Sequence, residues 1–128
     1  MRTRPAILAL LLTAPLMAGD PWNTQDKILE GAFIATMAVD YRQTSDIRHY
    51  RYTPASDGLC HHEDNAIMGR HPKQATINRY FIGSTALQIA VVDLLPSGKW
   101  RTMAQAFTLG VEVGAIGHNY TLGLKVAF

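Results

Sequence analysis

From residue 80 to residue 92 the chain carries no charge, and the longer stretch 77–95 (INRYFIGSTALQIAVVDLL) holds only Arg79 and Asp93. A helix of that length measures about 28 Å at 1.5 Å per residue, near the thickness of a bilayer's hydrocarbon core. The stretch therefore reads either as a membrane span with Gln88 and Asp93 as polar additions, or as a fully buried core helix. It starts around Gln74 and must end before Pro96, whose ring cannot continue a helix. Pro96-Ser97-Gly98 then forms a tight turn, with Ser97 or Gly98 capping a third helix, so the second and third helices form an antiparallel hairpin.

The third helix opens at Trp100 and contains AQAFTLGVEVGAIGHN. Ala106, Gly110 and Gly114 recur every fourth residue with Gly117 nearby, a small-residue ridge that lets another helix backbone approach closely. Glycine costs about 1 kcal/mol against alanine inside a helix, so the ridge predicts close packing, including pairing of two copies of the chain. Glu112 lies within this run. At membrane depth a carboxylate needs a partner, and Arg79, His118 and Asn119 are the candidates, Asn119 being seven residues on and on the same face. In a soluble bundle Glu112 would simply point outward.

The first mature helix begins at Asn23 or Thr24, either of which can cap, and Asp26 suits its positive end. Ile28, Leu29, Ala32, Phe33, Met37 and Tyr41 recur at helical spacing. Trp22 and Tyr41 bracket about 30 Å of helix, matching aromatic residues at the two faces of a bilayer, although Glu30 falls inside this window. Asp40, Gln43 and Thr44 share one face of the helix end.

Residues 1–18 (MRTRPAILALLLTAPLMA) read as an export signal. Arg2 and Arg4 are its basic start, residues 6–18 its apolar run, and Ala18 before Gly19-Asp20 its small-residue cleavage point, with Leu16 standing at the −3 position. The other reading is an uncleaved anchor, for which the run is short and Pro15 interrupts it. The remaining residues, 19–128, form a single helical domain.

The connector between the first two helices is long and polar, punctuated by Pro54, Gly58, Gly69 and Pro72. Such a loop is uncommon without a function or disorder. It holds Cys60, His61, His62 and Glu63, with Asn65 and His71 beyond. These are weak candidates for a metal, because the spacing fits no finger and H-E-x-x-H is absent. The sole cysteine excludes an internal disulfide. Charged residues make up 17% of the chain, below the usual figure of about 25%. The formal charge of +2 and the lack of a basic block exclude nucleic acid as a partner. Arg42, Arg48, Arg51, Arg70 and Lys73 fall in the connector against Lys99 in the short turn. By the positive-inside rule this puts the connector (42–76) in the cytoplasm of a bacterial inner membrane, and a cleaved signal puts the mature N-terminus in the periplasm. At the other end of the chain, Tyr120, Leu122, Leu124, Val126 and Phe128 alternate and predict a short extended tail.

The ordered pattern Asp40-x-x-Gln43-Thr44, Glu63-x-Asn65, Gly69-x-His71-Pro72, Asn78-x-Tyr80-Phe81, Val111-Glu112 and Gly117-His118-Asn119-Tyr120 resembles a group of small bacterial and prophage helical membrane proteins with no assigned activity. More distantly it is similar to small membrane proteins with an Asp…Thr helix followed by a Glu-x-Asn-Pro loop. Ala66 stands here where that loop has proline. The resemblance implies a helical membrane fold.

The expectation is an all-α, three-helix antiparallel bundle, transmembrane, with the bilayer as its partner, no cofactor and no enzymatic activity. Asp40, Gln43, Thr44, Glu63, Asn65, His71, Asn78, Glu112, His118 and Asn119 would form a structural polar cluster that ties the connector to the helix ends. The alternatives are a membrane-embedded metal-dependent hydrolase using the acidic residues and histidines of that cluster, and a soluble periplasmic helical binding module. No phosphate-binding glycine loop and no G-x-S-x-G nucleophile motif is present.

Overall fold

The structure, a computed structural model, describes residues 19–47, 63 and 65–124. Three helices make up the fold: α1 (Thr24–Ile47), α2 (Gln74–Leu94) and α3 (Lys99–Thr121), with no strand among the described residues.

Four of the helix boundaries have a local cause. Asn23 Oδ1 accepts the Asp26 N–H at 2.9 Å while Asp26 Oδ2 accepts the Asn23 N–H at 3.1 Å, a reciprocal box that closes the start of α1. Leu95, held extended before Pro96, stops α2 (φ −77, ψ 142). Gly98 precedes α3 at φ 95, a conformation that side chains with a Cβ resist. At the far end Gly123 sits at φ 87. There the Leu124 N–H reaches the Asn119 carbonyl and the Gly123 N–H reaches the Tyr120 carbonyl, both at 3.0 Å. This is the paired closure of a Schellman cap. The alternating tail expected from residue 120 onward is therefore corrected. Tyr120 is still helical, the chain turns at Gly123, and Leu124 is buried. Residues 125–128 lie outside the described residues.

α1 runs alongside α3 in the same direction and packs on it most extensively, and α2 lies antiparallel to both. Although joined by the tight turn, α2 and α3 touch each other least. The apolar core is small: Phe33, Met37, Met68, Ile77 and Phe81, with Ile34, Tyr41, Tyr80 and Leu109 against it. Tyr41 and Tyr80 both meet Phe81 edge-to-face, with ring centroids 5.5 and 5.2 Å apart. Met68 reaches this core from the connector, where the Asn65 carbonyl accepts the N–H groups of Met68 and Gly69.

Two sequence expectations change. Ala106, Gly110, Gly114 and Gly117 do not pack helices together within the chain. All four are exposed, and a Cβ added at any of the three glycines would meet nothing within 4 Å. Nor is any helix among the described residues both long and apolar enough to cross a membrane. Length is not the shortfall, since α1 has 24 residues and α3 has 23. Polar residues lower the mean hydropathy, and most of them face inward. Asp26, Glu30, Gln43, Thr44, Thr85, Asp93, Arg101 and Gln105 are all buried. On α3 the two buried residues are Arg101 and Gln105, while Phe107 is 73% exposed.

Candidate functional site

Two polar layers lie in the bundle, one at each end. The layer at the turn end is built from side chains one helical turn apart, Asp26 and Glu30 on α1 facing Arg101 and Gln105 on α3. Arg101 and Asp26, both fully buried, form an ion pair at 3.2 Å. Arg101 also donates to the carbonyls of Val92 (3.1 Å) and Leu95 (2.8 Å) at the end of α2. It donates twice to the Asp20 carbonyl, at 3.2 and 3.1 Å, and makes a longer contact of 3.5 Å with the Asp93 carbonyl. All five N–H groups of the guanidinium are thereby engaged. Gln105 Nε2 donates to the Asp26 carbonyl (2.9 Å) and to Glu30 Oε2 (3.1 Å). Trp22 lies under the Arg101 guanidinium, 5.8 Å from its centroid, and donates its indole N–H to Asp93 Oδ1 at 2.8 Å.

Residue 20 ties the start of the described chain to this layer. Asp20 Oδ2 accepts the Ser97 N–H at 2.9 Å. That hydrogen bond holds the exposed Asp20 carboxyl below the usual carboxylate range, with the Arg101 charge as a minor contribution.

The layer at the connector end contains most of the residues singled out from sequence. Asn119 donates to Asp40 Oδ1 (3.0 Å) and to Gln43 Oε1 (3.1 Å), and Gln43 donates to the Leu124 carbonyl at 3.0 Å. Tyr41 donates its hydroxyl hydrogen to Asn78 Oδ1 at 2.9 Å, and Gln74 bridges Asn78, Tyr41 and Ser45. Glu63 accepts the Asn65 N–H at 3.0 Å and Asn65 Oδ1 accepts the Ile67 N–H at 2.9 Å, so this pair shapes the turn leading to Gly69. The carboxylates of Glu63 and Glu112 both act on Asp40 through space. Thr44 is buried. His71, His118 and Arg79 are exposed.

Between the layers, Phe33, Met37, Leu87, Val91, Phe107 and Val111 line an apolar groove of about 300 Å³ where α2 and α3 diverge. Glu112, Gln88 and Thr108 supply its polar atoms, with Gln88 donating to Thr108 Oγ1 at 2.8 Å.

Among the described residues no three His, Cys, Asp or Glu side chains are grouped to hold a metal. Cys60, His61 and His62 lie outside the described residues, and His71 is exposed. What the layers do is cross-link: each joins all three helices, and the lower one also captures residues 20–22.

Sequence reading missed the lower layer. Asp26 and Glu30 are spaced i, i+4, and so are Arg101 and Gln105. Two such pairs on helices running in the same direction could have signalled matched polar faces. No family model, no curated protein and no solved structure matches the chain.

Proposed function

We propose that this chain is a non-enzymatic integral membrane protein whose two polar layers are structural cross-links holding three helices together in the bilayer. The observation that carries the reading is that charged and amide side chains are buried at the two ends of the bundle while the exposed faces of the middle of each helix are apolar. Along α1 the exposed residues from 28 to 38 are Ile28, Gly31, Ala35 and Ala38. Along α2 from 82 to 94 they are Ile82, Gly83, Ala86, Leu87, Val91 and Leu94. Along α3 from 103 to 117 they are likewise all apolar. Water offers no reason to expose that much apolar surface, whereas lipid favours it, and buried polar groups then find partners only in one another.

Trp22 and Tyr41 turn into the bundle, toward Asp93 and Asn78, and two other aromatic residues support the reading. Trp100 and Tyr120, 58% and 44% exposed, stand at opposite ends of α3. Their separation is about 30 Å at 1.5 Å per residue, the thickness of the hydrocarbon core. Exposed Arg42, Arg70, Lys73 and Arg79 gather at the connector end, which favours a cytoplasmic connector and a periplasmic turn. Export would be directed by residues 1–18. The small-residue ridge on α3 then faces lipid, where a second copy of the chain can pack on it.

Alkaline carbonate washing of membranes from cells expressing the full chain tests the reading. Retention in the pellet is expected. Release into the wash would favour the periplasmic binding module, and a stoichiometric metal in the purified protein would favour the hydrolase.

A further inference from the structure

Four buried side-chain oxygens of the lower layer accept no hydrogen bond among the described residues: Asp26 Oδ1, Glu30 Oε1, Gln105 Oε1 and, beside the start of the described chain, Asp93 Oδ2. Asp93 is 4% exposed. Its Oδ1 accepts the Trp22 indole N–H, but its Oδ2, fully shielded, accepts nothing among the described residues. Arg101, the nearest cation, cannot supply a donor because its N–H groups are already committed to carbonyls and to Asp26. A buried acceptor in that state is costly and calls for a donor.

The backbone of Gly19 lies against the Asp93 carbonyl, next to this carboxylate. A Cβ built on Gly19 would overlap the Asp93 carbonyl oxygen and come within 3.6 Å of Asp93 Cγ. Only glycine permits so close an approach, and its nitrogen is one bond from the Cα concerned. Residues 20 and 22 are pinned alongside by Ser97, Arg101 and Asp93 itself, so position 19 is held there by its neighbours. In the sequence, Gly19 follows Ala18, the small residue at which the export signal reads as ending.

We propose that the Ala18–Gly19 bond is a processing site, and that the Gly19 ammonium freed there is the partner of Asp93 Oδ2. A membrane leader peptidase would carry out the cleavage. The peptide bond and one water become the Ala18 carboxylate, which leaves with the leader, and the Gly19 ammonium, which stays. A neutral amide with one N–H thus becomes a cation with three donors beside a buried anion. Removing the leader therefore supplies the donors that Asp93 Oδ2 lacks, and the processed chain is the more stable form. The other charged groups at this end include Asp20, Asp26 and Glu30 on α1 and Arg101 on α3, with Asp26 already paired to Arg101 and Glu30 held by Gln105. The inference rests on the export-signal reading and not on membrane insertion, so carbonate washing and the experiment below fail independently.

The test is to purify the full-length gene product from its host and determine its N-terminus by intact mass and sequencing. A start at Gly19 is expected, and a start elsewhere or a retained leader overturns the proposal. The rate at which a neutral-pH amine reagent labels the α-amine is then compared across variants. An opposite charge keeps the amine in its unreactive protonated form. Labelling is expected to be about tenfold faster in Asp93→Asn than in the wild type, the effect of one pH unit of basicity. Trp22→Phe, which removes only the bond to Oδ1, should label as slowly as the wild type. Equal rates in wild type and Asp93→Asn overturn the proposal. If Asp93→Asn does not accumulate, folded wild type is compared with the same protein unfolded in urea, and equal rates there have the same force.

Discussion

Arg101 shows how much of this molecule hangs on single polar side chains. It is fully buried, pairs with Asp26 and closes the ends of α2 through the Val92 and Leu95 carbonyls. Replacing it with methionine strands Asp26 and those carbonyls together, and breaking a buried pair from one side costs about 3–5 kcal/mol. Arg101→Met should therefore sharply lower the yield and melting temperature of the purified protein. Adding Asp26→Leu should recover part of the loss, because no lone charge is then buried, while the carbonyls remain unserved. Asp20 makes a gentler prediction. Its carboxyl titrates below the usual range because Ser97 donates to its charged form. A group with a depressed folded value adds stability above its unfolded pKa of about 4 and loses it as pH falls through the folded value. Melting of the wild type should thus weaken below about pH 4, and Asp20→Asn should flatten that part of the pH profile. Asp20 is exposed, so the effect is a small one.

Among the elements, α3 departs furthest from an ordinary soluble helix. Its buried side is polar, and its free side carries Phe107, Val111 and the small-residue ridge. Gly110 and Gly114 pay the entropic penalty of glycine without any contact inside the chain that requires it. Alanine at both positions should therefore stabilise the single chain by about 1 kcal/mol per site, the difference in helix propensity. Leucine at Gly110 and Gly114 should leave the fold of the chain intact and abolish crosslinking between copies in membranes. Unchanged crosslinking would remove the ridge as a contact between copies. Helix positions and their ends were legible in the sequence because their causes are local. Gln74, Leu94 and Lys99 follow from Pro72, Pro96 and the Ser97-Gly98 turn. The C-terminal end was misread because Leu122 and Leu124 alternate like a strand, whereas Gly123 at φ 87 lets the helix close on itself and buries Leu124.

For the molecule as a whole, lipid and water predict opposite results for the same change. Phe107 is 73% exposed. In water Phe107→Lys would be an ordinary surface substitution, worth within about 0.5 kcal/mol. In a bilayer it places a charge against lipid at a cost of about 2.5–3.5 kcal/mol. We expect the variant to be depleted from membranes relative to wild type, and normal levels would count against the bilayer. Orientation has its own readout in Cys60, the sole cysteine. With the connector in the cytoplasm, a membrane-impermeant maleimide should label Cys60 only after the cells are opened.

The amino-acid sequence alone determined the three helices, the hairpin between the second and third, and the candidates Asp40, Gln43, Asn78 and Asn119 at the connector end. Periodicity, prolines and turn glycines act over a few residues and can be read in order. It did not disclose that α1 lies against α3, nor that Asp26, Glu30, Arg101 and Gln105 turn toward each other. Asp26 and Arg101 are 75 residues apart, and a charge viewed one residue at a time looks the same whether it faces solvent or a buried partner. Only the packing of the helices gave those charges an interior, because a buried ion is tolerated where a partner on another helix meets it, as Arg101 meets Asp26.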